Sequence, residues 1–193
     1  MGQATSTFSL TNNWNSSYPR GGNYWSDYYG DDVNRDGIGD SPYRVSNSST
    51  LLTSMAQYDY QPWMGNFQVF KIFSWCNVDV VSNSTVEDLI YVQSNNTIKM
   101  HVSNRTADQS FGFCRIRIPH FLMNEPYYVL VDDEEPYYVN YNVYDDGGNR
   151  WIYFIYLHSK LEIVILPEFS SVTVCLLFMI AVLLITKLYK RKL

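Results

Sequence analysis

Between residues 74 and 166 the chain alternates, segment after segment, between side chains that suit an interior and side chains that suit water. That period of two restricts the possible folds more than any other feature of the sequence. The segments are Val78–Val81, Leu89–Gln93, Thr97–Val102, Gly112–Ile118, Tyr127–Val131, Tyr137–Tyr144, Trp151–Leu157 and Leu161–Leu166. Successive side chains of a strand point to opposite faces, so β-branched and aromatic residues at every second position build a sheet with one buried face. Ile116, Ile118, Val139, Tyr141, Val143, Ile152, Phe154 and Tyr156 occupy such positions. Turn formers separate the segments at Ser82-Asn83-Ser84, Asn95-Asn96 and Asp145-Asp146-Gly147-Gly148-Asn149. Short strands at this spacing predict an antiparallel β-sandwich over 74–166.

Residues 1–66 have a different texture. They are rich in Asn, Ser, Gly, Tyr and Asp, with turn signals at Arg20-Gly21-Gly22 and Asp36-Gly37. A segment with so few aliphatic runs cannot bury much core by itself. Its order has to come from packed aromatics, a bound metal or a neighbouring domain. Within it, Asp32-Val33-Asn34-Arg35-Asp36-Gly37-Ile38-Gly39-Asp40 has the D-x-N-x-D-G-x-x-D form of a calcium loop. Oxygens at alternate positions converge on one centre, the glycine makes the tight turn, and later positions add a carbonyl and a carboxylate. The candidate ligands are Asp32, Asn34, Asp36, the Ile38 carbonyl and Asp40, with Asp27 or Asp31 available to complete the shell. Tyr43 stands where an EF-hand carries its bidentate Glu, so the expectation is a weak extracellular-type Ca²⁺ site; an acidic turn without metal is the alternative. The dense aromatics around it, from Trp14 to Tyr28, suit either packing of the loops or stacking on sugars.

Near the C-terminus, Phe169 to Thr186 carries no charge, and Lys187, Lys190, Arg191 and Lys192 follow. Such a run is long enough for about 27 Å of helix against a hydrocarbon core of about 30 Å, and flanking cations stay in the cytoplasm. The sequence therefore predicts a single-pass transmembrane helix over 167–188, a basic cytoplasmic tail over 189–193 and an N-terminal ectodomain outside a cell membrane. All 19 acidic residues and 10 of the 14 Lys and Arg precede the run, a balance near −9 that offers no footprint for nucleic acid. Five N-x-[ST] sequons, at Asn15, Asn47, Asn83, Asn95 and Asn104, agree with a glycoprotein at a cell surface. Cys76 and Cys114 form either a bridge or two separate thiols, and Cys175 lies in the apolar run. The start MGQATSTFSL has no apolar leader, which suggests a fragment of a longer secreted protein.

His101, His120 and His158 are scattered, and neither G-x-S-x-G nor H-E-x-x-H occurs, so the sequence gives no reason to expect an enzyme. Asp132-Asp133-Glu134-Glu135 reads as a solvated hairpin tip or as a second cation site.

The string NWNSSYPRGGNYWSDYYGDDVNRDGIGDSPY, residues 13–43, resembles the C-terminal segment of NosD-like parallel β-helix surface proteins of archaea. That resemblance implies that residues 1–66 form the loop-rich cap of a β-helix lying upstream. The chain departs from the family's usual continuation at Tyr60-Gln61-Pro62-Trp63-Met64. Pro167-Glu168-Phe169 before the apolar run resembles a PEF-CTERM sorting signal, which implies an archaeosortase-like processing enzyme as a partner. The strand region resembles immunoglobulin-like domains at the level of fold alone. The function expected is that of a membrane-anchored structural or adhesive surface protein, meeting the lipid bilayer and surface-layer or polysaccharide components. The alternative is a carbohydrate-binding or polysaccharide-processing protein whose active β-helix lies elsewhere.

Overall fold

The computed structural model describes residues 13–45, 57–123, 125–157, 159–168, 179–182 and 184–185. Eleven strands are assigned among them: β1 (Tyr43–Arg44), β2 (Tyr58–Asp59), β3 (Asn66–Phe73), β4 (Cys76–Ser82), β5 (Thr85–Val92), β6 (Thr97–Ser103), β7 (Phe111–Pro119), β8 (Tyr127–Val131), β9 (Tyr138–Asp145), β10 (Asn149–Leu157) and β11 (Leu161–Pro167). A five-stranded sheet runs β3-β4-β7-β10-β9 and a four-stranded one β5-β6-β11-β8; β1 and β2 make a separate ribbon. Every strand pairing is antiparallel.

The two larger sheets bury their alternate residues against each other. Val78, Val80, Cys114, Ile116, Ile118, Ile152, Phe154 and Tyr156 come from one sheet, and Val86, Ile98, Met100, Val102, Val129, Val131, Ile163 and Ile165 from the other. Each large aliphatic or aromatic side chain so buried contributes about 1.5–3 kcal/mol, and together they set the register, because a one-residue slip would expose the whole face. The arrangement is the sandwich that the alternation implies, with two differences of detail.

The first difference is β3. Its sequence NFQVFKIF places apolar side chains on both faces: Phe70 and Ile72 pack on the core while Phe67 and Val69 are exposed. With both faces apolar, the period of two is masked, and the sandwich begins at residue 66 instead of 74. The second is Val143. The β9–β10 register shifts between Trp151 and Tyr153, so Val143 joins Val81, Phe113 and Tyr153 on the opposite face of the sheet, while Val139 and Tyr141 keep to the core side. A bulge inverts the alternation locally.

Cys76 and Cys114 are both buried and free, so no bridge joins them. The acidic run at 132–135 is a hairpin tip. Asp132 and Asp133 both adopt positive φ (49° and 65°), as a two-residue type I′ turn requires, and Val131 pairs with Glu134 across it.

The expected transmembrane helix over 167–188 is overturned. No helix among the described residues is long and apolar enough to cross a membrane. The helical residues described there are 179–182 and 184–185. A charge-free run supplies the hydropathy of a span, but a span also takes about 20 residues of apolar helix, and the described residues supply none of that length. Single-pass anchoring, which rests on that helix, loses its support with it. The tail at 189–193 lies outside the described residues.

Candidate functional site

The outer face of the five-stranded sheet carries Asp79, Arg115 and Arg117 beside an apolar patch of Val81, Phe113 and Tyr153, and there the described residues of the loop-rich segment, 13–45 and 57–65, are seated. Strand β7 shows how. Cys114, Ile116 and Ile118 point to the core, so Arg115 and Arg117 point outward. Arg115 is nevertheless only 3% exposed. Its guanidinium donates to the backbone carbonyls of Asp36 and of Pro19, the latter at 2.5 Å. Burial pulls its pKa below the ordinary arginine value, opposed by the nearby Asp36, Tyr18 and Asp32. Around this tie, Arg35 lies over the Tyr138 ring at 4.5 Å, Tyr18 meets Tyr144 edge-on at 5.5 Å, and Trp63 stacks on Phe67 at 4.4 Å. Gly37 (φ +81°) passes so close that a Cβ there would sit 3.0 Å from the Cβ of Arg115.

Within the segment the organising group is Asp59, which is fully buried. Its Oδ2 accepts from the backbone of Asn23 at 2.7 Å and from Trp25 Nε1 at 2.9 Å, and its Oδ1 accepts from the Gln61 backbone at 3.0 Å. Trp25 in turn stacks on Tyr43 at 4.5 Å with planes 13° apart and meets Trp14 edge-on. A buried carboxylate is tolerable because these donors replace its water. Sequence reasoning missed Asp59. One signal was present: an Asp two residues before Gln61 and three before Pro62 has the spacing of a side chain that caps its own turn.

In the calcium-type loop, each candidate carboxylate accepts backbone N–H groups. Asp32 takes those of Asp36 and Gly37, each at 2.9 Å; Asp36 takes that of Ile38 at 2.8 Å; Asp40 takes that of Val33 at 2.6 Å. Burial pushes the Asp32 carboxyl up, with the charges of Asp36 and Asp40 adding to it, while the two backbone hydrogen bonds oppose the shift. Asn34 is exposed, and Ile38 is 5% exposed with its side chain in the interior. The oxygen donor set suits a hard cation, but one oxygen from each of Asp32, Asp36 and Asp40 does not gather within 4.8 Å. In this geometry the carboxylates serve as caps of a tight turn. Asp27 instead accepts the Tyr43 hydroxyl at 2.9 Å.

One three-residue cluster with metal-ligand atoms does gather among the described residues: His120, Glu125 and Asp145. Arg150 occupies it. Its Nη2 contacts Asp145 at 2.6 Å and also Glu125, while His120 Nε2 lies 3.1 Å from Asp145. The guanidinium already neutralises both carboxylates, so the cluster is an ion-paired knot at the β9–β10 turn.

Of the sequon residues, Asn95 and Asn104 are exposed, whereas Asn83 is built into the sheet edge, donating to the Phe111 carbonyl at 3.1 Å and accepting from Phe113 at 2.9 Å. Asn15 is half-buried and accepts from the Tyr60 backbone at 3.3 Å. Asn47 lies outside the described residues. So does Phe169 of the Pro167-Glu168-Phe169 triplet, of which Pro167 ends β11 and the exposed Glu168 donates to the Pro126 carbonyl at 2.7 Å. His158 also lies outside them. His101 is exposed, with Nδ1 4.0 Å from Asp88. No protein-family model, curated protein or solved structure matches the chain.

Proposed function

We propose that the chain is a structural or adhesive module of an extracellular surface protein, the C-terminal stem of a larger chain whose upstream part is a NosD-like β-helix. The observation that carries this reading is the tie at Arg115. A module that transmits load between an upstream body and the sandwich needs a rigid junction, and here a buried cation on the sheet holds two separate turns of the loop segment by their backbone carbonyls. Charge-assisted hydrogen bonds in a dry site are the strong kind, and they fix orientation as well as distance. The exposed sequon residues Asn95 and Asn104 fit a surface location.

The test is denaturation of the full chain followed by two probes. With Trp75 and Trp151 of the sandwich replaced by Phe, Trp14, Trp25 and Trp63 report on the loop segment by fluorescence, while far-ultraviolet circular dichroism follows the strands. The stem reading expects coincident transitions. A loop segment that melts well before the sheets would mean a loosely tethered tail, and the reading would fall.

A further inference from the structure

Where the loop segment meets the sheet, the two do not close completely. A cleft of about 740 Å³ remains between residues 13–23 and the outward side chains of β4, β7 and β10, within the size range of small-ligand sites. Its lining has two kinds of group. Trp14, Trp63 and Trp151 supply indole rings. Along the sheet runs a row of planar polar side chains: Asp79 Oδ2 accepts from Arg117 Nε at 2.6 Å, Arg117 Nη1 donates to Asn149 Oδ1 at 2.6 Å, and Asn149 Nδ2 donates to Asp146 at 3.2 Å. Each member fixes the next, so the row is preorganised.

Two of these indole N–H groups are already used. Trp14 Nε1 donates to Gln57 at 2.9 Å and Trp63 Nε1 to the Arg20 carbonyl at 3.1 Å. What these rings offer a ligand is therefore their carbon faces, and Trp63 is braced from behind by its stack on Phe67. Val81 is the one aliphatic side chain in the lining, so a hydrocarbon ligand would strip water from the polar row without replacing it. The cleft's two carboxylates, Asp79 and Asp146, already hold partners among its own side chains, and the chain as a whole carries a net charge of −5 that disfavours the approach of a polyanion. Arg117 is committed to Asp79, Asn149 and the Asn77 carbonyl, and Arg115 to backbone carbonyls, so of the three arginines lining the cleft only the exposed Arg20, at its rim, faces an acidic ligand, and the uronate arm of the experiment below tests it. Flat apolar faces opposite a row of alternating donors and acceptors match a molecule that has C–H faces and vicinal hydroxyls.

We propose that this cleft binds a neutral saccharide, with Trp14 and Trp63 on the C–H faces of a pyranose and Asp79 and Asn149, held in place by Arg117, on its hydroxyls. The proposal goes beyond the stem reading and does not depend on it.

The experiment is to screen the full chain on an array of neutral and uronate-containing glycans, then titrate neutral gluco- and manno-oligosaccharides and an oligogalacturonate by calorimetry and tryptophan fluorescence. The expected result is binding of a neutral glycan, weakened about tenfold or more by Trp14→Ala and by Asp79→Asn. Trp75→Ala should leave it unchanged, because Trp75 is 71% exposed and outside the cleft. Asp79→Asn keeps the side-chain shape and decides the matter if Trp14→Ala does not fold. Absence of binding across the array, binding of the uronate alone, or equal losses in the Trp75 and Asp79 variants would each overturn the proposal.

Discussion

Replacing Arg115 by alanine tests the junction most directly, and its cost can be worked from the contacts. Two carbonyls, those of Pro19 and Asp36, lose a charged donor in a place where the arginine is 3% exposed, so water cannot readily substitute. Each orphaned buried acceptor costs about 1–3 kcal/mol. The arginine's own methylene stem, packed over Gly37, is lost as well, and removal of the charge itself relieves some desolvation. A net loss of about 3–4 kcal/mol follows. With a urea slope of about 2 kcal/mol/M, the midpoint of unfolding should fall by roughly 1.5–2 M. Arg115→Lys should recover only part of this, since an ammonium cannot span both carbonyls as a planar fork does. Arg117→Ala is the control: its ion pair with Asp79 is about a fifth exposed on each side, and it should cost less than Arg115→Ala. Equilibrium urea curves on the full chain give all three numbers. A loss under about 1 kcal/mol for Arg115→Ala, or full rescue by lysine, would refute the account of the junction.

Three other predictions concern single groups. Cys114 is fully buried and burial pushes its thiol up to about 11, so it should resist a thiolate-selective reagent in the native chain and react on unfolding; peptide mapping of native labelling would show otherwise. The Asp32 carboxyl is raised above 3.8 by burial, so the folded state binds its proton more tightly and loses that stability as pH rises through the folded value. The melting temperature of Asp32→Asn relative to the parent should therefore climb from about pH 3 to about pH 7. A flat or falling difference would contradict the burial argument. Calcium, if it draws the loop's carboxylates together, should bind at about 10⁻⁴ to 10⁻³ M and add roughly 1.4 kcal/mol at tenfold excess over the weaker constant. Asp36→Asn should weaken it more than Asp31→Asn, and no calcium-dependent melting shift would leave the loop a turn held by its caps.

How much of this was legible beforehand differs from one residue to the next. Ile116, Ile118, Ile152, Phe154 and Tyr156 were readable as core because a strand's alternation is a property of the local chain, decided within a few residues. The same rule applied to β7 also says that Arg115 faces away from the core, which is correct, and would leave it in water, which is not. What buries it comes from carbonyls 79 and 96 positions away in the sequence, and no local period contains that information. Asp59 is similar: its role rests on Asn23 and Trp25, 36 and 34 residues back. The acidic spacing at Asp32 to Asp40 was plain, and it fits both a cation shell and the set of turn caps that its backbone hydrogen bonds make. The apolar run after Phe169 had the hydropathy of a span, and no helix of spanning length is found among the described residues. Hydropathy and alternation are sums over neighbours in the chain, so the sequence by itself determined the strands and inward faces where the alternation is regular, as in β7 and β10, and not β3 or the bulged end of β9. The tertiary structure alone decided which outward face is covered, which charge is buried and where a cleft is left open, because those depend on segments that meet only when the chain folds.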